Sequence, residues 1–193
     1  MSILNVAHDD QAVVAVYDLA AMTSDRGLCT GAAKAAPICG INAALVFTGD
    51  FLLARLALLN VVGMAMTAGA FDPVAEDLPG VLRQVQENYQ PPEAAGGTDT
   101  LLGLAGWSDV ERRMRLFFFQ FSEGWAPREV RDQISISPHF DGLEADAGTV
   151  DGLAALAPAQ RAWFERETGG AIVGGQALQA LSLTRDRLEV WCL

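Results

Sequence analysis

Apolar and polar positions alternate from the first residues onward. Two short β-branched runs, Ile3 to Ala7 and Ala12 to Val16, flank the polar step His8-Asp9-Asp10-Gln11. Such a pair with a polar step between predicts a β-hairpin. The second run continues to Asp18, and Thr23 to Gly27 has the composition of a turn. A further apolar run, Lys34-Ala-Ala-Pro-Ile-Cys39, precedes Ile41 to Thr48, which reads as a buried strand. Gly49 then supplies a tight turn, and Asp50 is placed to N-cap a helix from Phe51 to about Thr67. That helix is apolar on nearly every face, so it must be covered on more than one side.

A second helix is expected from Glu76 to Tyr89, with Pro79 and Gly80 marking its start or a break, and Gln90 to Thr98 is an internal loop. Leu101 to Gly106 and Arg113 to Phe121 read as strands. Phe117, Phe118 and Phe119 are consecutive, so their strand must be covered on both faces. Ile134 to Ser137 is another strand and Pro138 to Thr149 a loop. Val150 to Glu167 is helical, with Pro158 interrupting it or starting its second half. Thr168 to Gly175 reads as turns around a short strand, and Leu178–Thr184 with Leu188–Leu193 as a closing hairpin. The order of strands, two helices, strands, one or two helices and strands predicts an α+β fold, a four-layer αββα sandwich within a single domain, residues 1–193.

Composition narrows the chemistry. At 193 residues the chain can bury one sizeable core, and a net charge of −11 argues against nucleic acid or an anionic membrane as partner. Phe51 to Phe71 is membrane-like in hydropathy, but Arg55, Asn60 and two glycines interrupt it, and no transmembrane span is expected. The first ten residues lack a basic region and a sustained apolar stretch, so no signal peptide is expected and the protein is placed in the cytoplasm. The three cysteines form no CxxC pair, and the two histidines, His8 and His139, have no ligand-like neighbours. A zinc site and a Ser-His-Asp triad are thereby disfavoured. No Ser or Thr follows Lys34 in Gly31-Ala-Ala-Lys34, which removes a nucleotide loop, and the glycine-rich stretch near Gly175 lacks dinucleotide spacing. Neither a cofactor nor a metal is expected.

Three residues remain that carry chemistry at a regular interval. Ser2, Asp18 and Lys34 are sixteen residues apart each, and Ser2 becomes the first residue if Met1 is removed. A terminal serine holds a hydroxyl nucleophile and, in its own α-amino group, a base that titrates near neutrality, at about 7.7–8.0. A nearby cation favours the neutral amine and stabilises the alkoxide. Lys34 suits that role, and Asp18 suits orienting it. Taken singly, the same residues also have ordinary readings: a chain terminus, a strand-end turn residue and a solvated charge.

The layout resembles the N-terminal nucleophile (Ntn) hydrolases of the proteasome β-subunit and bacterial HslV type, where a terminal Thr, an Asp and a Lys stand at this spacing. Here Ser takes the place of Thr. The resemblance is specific over residues 2 to 50 and implies an αββα fold, hydrolysis of a peptide or small amide, and a backbone N–H at Gly49, or one residue earlier at Thr48, as oxyanion donor. It also implies a homo-oligomer, with a ring as one form, and leaves open an ATPase partner of unknown identity. Active subunits of this type carry a supporting Ser in a Gly-Ser-Gly-like segment, which this chain lacks; Ser122 is a partial stand-in. The alternative is a catalytically silent proteasome-like subunit with a structural or binding role.

Overall fold

The N-terminal hairpin forms as its alternation requires. In the computed structural model, which describes residues 3–22, 28–30, 33–89, 99–137, 140–144, 148–168 and 177–193, β1 (Leu4–His8) pairs antiparallel with β2 (Ala12–Asp18), Leu4 opposite Tyr17. Asp9 closes the turn, its Oδ1 accepting from the amides of Gln11 and Ala12 at 2.7 and 2.8 Å. A small ribbon follows, β3 (Ala20–Met22) with β4 (Leu28–Thr30). Next, β5 (Ala35–Ile38) pairs antiparallel with β6 (Ala43–Thr48).

Helix α1 (Phe51–Ala68) starts where expected, with Asp50 Oδ1 accepting from Leu53 N–H at 2.7 Å, and ends at Gly69, whose φ of 65° is the left-handed conformation glycine adopts freely. Helix α2 (Phe71–Asn88) starts five residues before the expected Glu76. Asp72 and Pro73 both suit a first helical turn, where a carboxylate meets the positive end of the helix and a missing N–H costs nothing. Pro79 is carried inside the helix and buried.

The chain then returns through β7 (Leu101–Ser108) and β8 (Arg113–Gln120), a 3-10 turn at Phe121–Glu123, β9 (Arg128–Val130) and β10 (Gln133–Ser137). Two helices, α3 (Val150–Ala154) and α4 (Ala157–Thr168), precede the closing hairpin of β11 (Leu178–Thr184) and β12 (Leu188–Cys192). The expected turns between Thr168 and Gly175 fall, Thr168 apart, outside the described residues.

Two antiparallel five-stranded sheets result, in the orders β10-β1-β2-β11-β12 and β5-β6-β7-β8-β9. Strand alternation sorts the side chains into layers. Ala44, Val46, Ala105, Leu116 and Phe118 of the second sheet meet Val6, Val13, Ala15, Tyr17 and Leu181 of the first. On its other face the second sheet offers Leu45, Phe47, Leu104 and Phe119 to Leu53, Ala57, Val61, Val74 and Leu78 of α1 and α2. The phenylalanine run is covered on both faces, with Phe118 on one side and Phe117 and Phe119 on the other. Gly106 lets α2 come close: a Cβ there would sit 2.2 Å from Cδ2 of Phe71.

The expected four-layer αββα sandwich is corrected. The frame is two antiparallel sheets with one full helical layer, α1 and α2, on the second sheet. The first sheet carries no matching layer among the described residues. Its outer face packs Ala7, Val16 and Ala180 around Leu153 of the five-residue α3. Helix α4 is tied in through a buried amide pair, Asn5 Nδ2 to Gln160 Oε1 and Gln160 Nε2 to Asn5 Oδ1, each 2.9 Å, and Trp163 stacks on Phe140. The physical reason lies in composition: α4 exposes Glu165, Arg166 and Glu167, and lacks the apolar stripe that would cover a sheet.

Candidate active site

Asp18 ends β2, which lies between β1 and β11, so its carboxylate is delivered into the interior and is fully buried. Lys34 stands one residue before β5. Its carbonyl accepts from Phe47 N–H at 2.8 Å, which extends the β5–β6 ladder by one step and fixes its backbone. From there its side chain crosses to the other sheet, and Nζ forms a buried ion pair with Asp18 Oδ1. The expected partnership of Asp18 with Lys34 is therefore a bridge between the two sheets.

The same Oδ1 accepts from the amide of Ile3 at 3.2 Å, and Asp18 N–H donates back to Ile3 carbonyl at 3.2 Å. That Ile3 nitrogen is the atom through which Ser2 is attached to the chain. Ser2 itself lies outside the described residues. Oδ2 of Asp18 is buried without a hydrogen-bond partner among the described residues. Burial pushes the Lys34 ammonium down from 10.5 to about 7.

Gly49 occupies the strand-to-helix turn with a φ of +97°. A Cβ at this position would lie 2.6 Å from Thr100 Cα and 2.8 Å from Asp99 carbonyl oxygen, so only glycine fits. Amides alternate direction along an antiparallel strand. Since Phe47 N–H points to Lys34, the Gly49 N–H two residues on leaves β6 on the Lys34 side. Asp50 N–H is taken by Thr100 Oγ1 at 2.9 Å. The Asp50 carboxylate, besides capping α1, accepts from Tyr89 hydroxyl at 3.2–3.3 Å, and burial with the Asp50 charge raises the Tyr89 pKa.

Ser122 is not brought to the Asp18–Lys34 pair. Its Oγ and its N–H both donate to Asp99, the latter at 3.0 Å, and Gln120 Nε2 joins them at 2.5 Å. A serine that no motif marks, Ser137, ends β10 opposite Leu4 of β1, which places its backbone at the end of the sheet where the chain begins. Only the pairing register reveals it. The clasp of Asp99 and Thr100 against Gly49 was equally invisible in the sequence, because it joins segments fifty residues apart.

No protein-family model matches the chain, and no curated protein matches it. Among solved structures, the Anbu (Gly-1) mutant from Hyphomicrobium sp. strain MC1 superposes with a TM-score of 0.70 over 99% of this chain and 85% of that one. The chain shares the fold of Anbu. Sequence identity is 14%, so the likeness to Anbu speaks for the fold alone. The resemblance to Ntn hydrolases of the proteasome β-subunit and HslV type is corrected accordingly. A triplet at the right spacing is three residues, which no family model supports as membership, and the likeness in structure is to Anbu.

Proposed function

We propose that the protein hydrolyses amide bonds, in peptides or small amides, through the hydroxyl of Ser2 once Met1 has been removed. The observation that carries the reading is the double use of one oxygen: Asp18 Oδ1 holds both the Ile3 amide and the Lys34 ammonium. The residue after the nucleophile and the cation are thus anchored to a single buried atom.

The chemistry follows from the groups. The α-amino group of Ser2 takes the proton from Oγ as Oγ attacks the amide carbon. The resulting oxyanion is received by Gly49 N–H, and Lys34 lowers the cost of negative charge on Oγ. The amine product departs with the transferred proton, leaving an ester on Ser2. Water, deprotonated by the same amine, then releases the acid and restores Ser2. Because the base is the chain terminus, Met1 must go. Intact-mass measurement of untagged protein is expected to show a chain beginning at Ser2; a fully retained Met1 would sink the catalytic reading and favour a silent, structural subunit.

The protein also acts, in our reading, as a homo-oligomer joined through α1. Leu52, Leu59 and Met66 are 53, 69 and 80% exposed, and their seven-residue spacing lines them up on one side of the helix. Helix α2 covers another face and leaves this stripe open. Light scattering coupled to size exclusion should report a mass above 20.5 kDa, and Leu59→Glu should shift it to the monomer with the fold intact. A wild-type monomer at micromolar concentration would defeat this expectation.

A further inference from the structure

The turn that offers Gly49 N–H is held from behind by a segment outside the Ser2–Asp18–Lys34 set. Thr100 is buried, and its Oγ1 accepts the Asp50 amide at 2.9 Å. Its Cα and the Asp99 carbonyl press on Gly49 so closely that no Cβ fits between them. Thr100 is itself pinned, its carbonyl accepting from Phe121 N–H at 2.9 Å. Asp99 is pinned beside it by Ser122 N–H at 3.0 Å and Gln120 Nε2 at 2.5 Å.

Two consequences follow at the turn. First, Asp50 N–H is occupied, and the following helical amides are drawn inward: Leu53 N–H goes to Asp50 Oδ1 and Ala54 N–H to Asp50 carbonyl at 3.1 Å. Gly49 N–H is left facing the Lys34 side. Second, Thr100 holds the Gly49–Asp50 peptide through the Asp50 amide, and the β5–β6 ladder holds the strand as far as Phe47, two residues before Gly49. An oxyanion donor works only when it is aimed before charge develops, and a displacement of about 1 Å can cost about a hundredfold in rate.

We propose that Thr100 is a positioning residue for the oxyanion donor: by capturing Asp50 N–H and packing against Gly49, it holds rigid the turn from which Gly49 N–H is offered. This rests on the reading of Gly49 and Ser2 given above. The role needs a hydroxyl acceptor rather than bulk, so valine and serine separate it from packing. Thr100→Val keeps the shape and loses the acceptor; Thr100→Ser keeps the acceptor.

The test is amide turnover and Ser2 acylation by a β-lactone probe, on processed wild type and both variants. Thr100→Val should lower kcat and the acylation rate by roughly ten- to a hundredfold with KM nearly unchanged. Thr100→Ser should restore both to near wild type. If valine prevents folding, Thr100→Ala, smaller in every direction, should show the same kcat loss. Valine and alanine variants that acylate at the wild-type rate would overturn the positioning role, as would a loss that serine does not rescue. A processed wild type that neither turns over nor acylates would instead sink the parent reading, and the positioning role with it.

Discussion

Replacing Lys34 with alanine is expected to lower turnover by at least about a hundredfold and to destabilise the fold by about 3–5 kcal/mol. The second effect arises because Asp18 is fully buried and Lys34 is its charge partner. Removing the amine strands a carboxylate between the sheets, and stranding a buried charge costs far more than the pair contributes. The two losses should separate in a second variant. Lys34→Met combined with Asp18→Asn removes both charges, while asparagine Oδ1 still accepts from Ile3 N–H. That double variant should regain most of the stability and none of the turnover. Chemical denaturation and steady-state kinetics read the two quantities independently.

The same pair gives a pH signature. The folded-state value of Lys34, about 7, lies below its unfolded value, which is about 10.4. Between those values the unfolded chain binds more protons, so stability should rise with pH through that window. Lys34→Met should remove that part of the slope. Equal stability of wild type and Lys34→Ala would contradict the buried bridge itself.

Ser2→Ala should leave the fold unchanged and reduce amide turnover by at least about ten-thousandfold, the scale of losing the nucleophile in an acyl-transfer enzyme. The separation follows from what Asp18 touches: it holds the Ile3 amide, a backbone group that alanine at position 2 preserves. The α-amine and Gly49 N–H also remain, so the variant tests the hydroxyl alone. Residual activity within tenfold of wild type would place the nucleophile elsewhere. Thermal melts of the two proteins should coincide.

Much of the frame was legible in the sequence because its signals are local. The His8–Gln11 step, Asp50 as cap and the closing hairpin each depend on residues within a few positions, and each formed where expected. The start of α2 was misread because Pro79 and Gly80 suggested a boundary, whereas Asp72 and Pro73 supply the first turn. The second helical layer was over-read from segment order alone. Whether a helix covers a sheet depends on its apolar stripe, and α4 presents charges instead. At the site, the Asp18–Lys34 pairing could be anticipated only because the triplet resembles the Ntn layout and an acid and a base suit one another as partners. Attachment of Ile3 to the same oxygen, and the grip of Thr100 on the Gly49 turn, could not, since both are set by the register of neighbouring strands within a sheet. Apolar excess in α1 pointed to extra coverage, but only burial separates Leu53, which is core, from Leu59, which is open.

Ser2 as nucleophile is tested most directly by mass spectrometry of the processed protein after incubation with an acylating β-lactone. The account predicts a single adduct on the N-terminal peptide, carried by Ser2 Oγ, formed slowly or not at all in Lys34→Ala and absent in Ser2→Ala. A chain with Met1 removed that remains unmodified at Ser2, or takes the adduct on another residue, would contradict it.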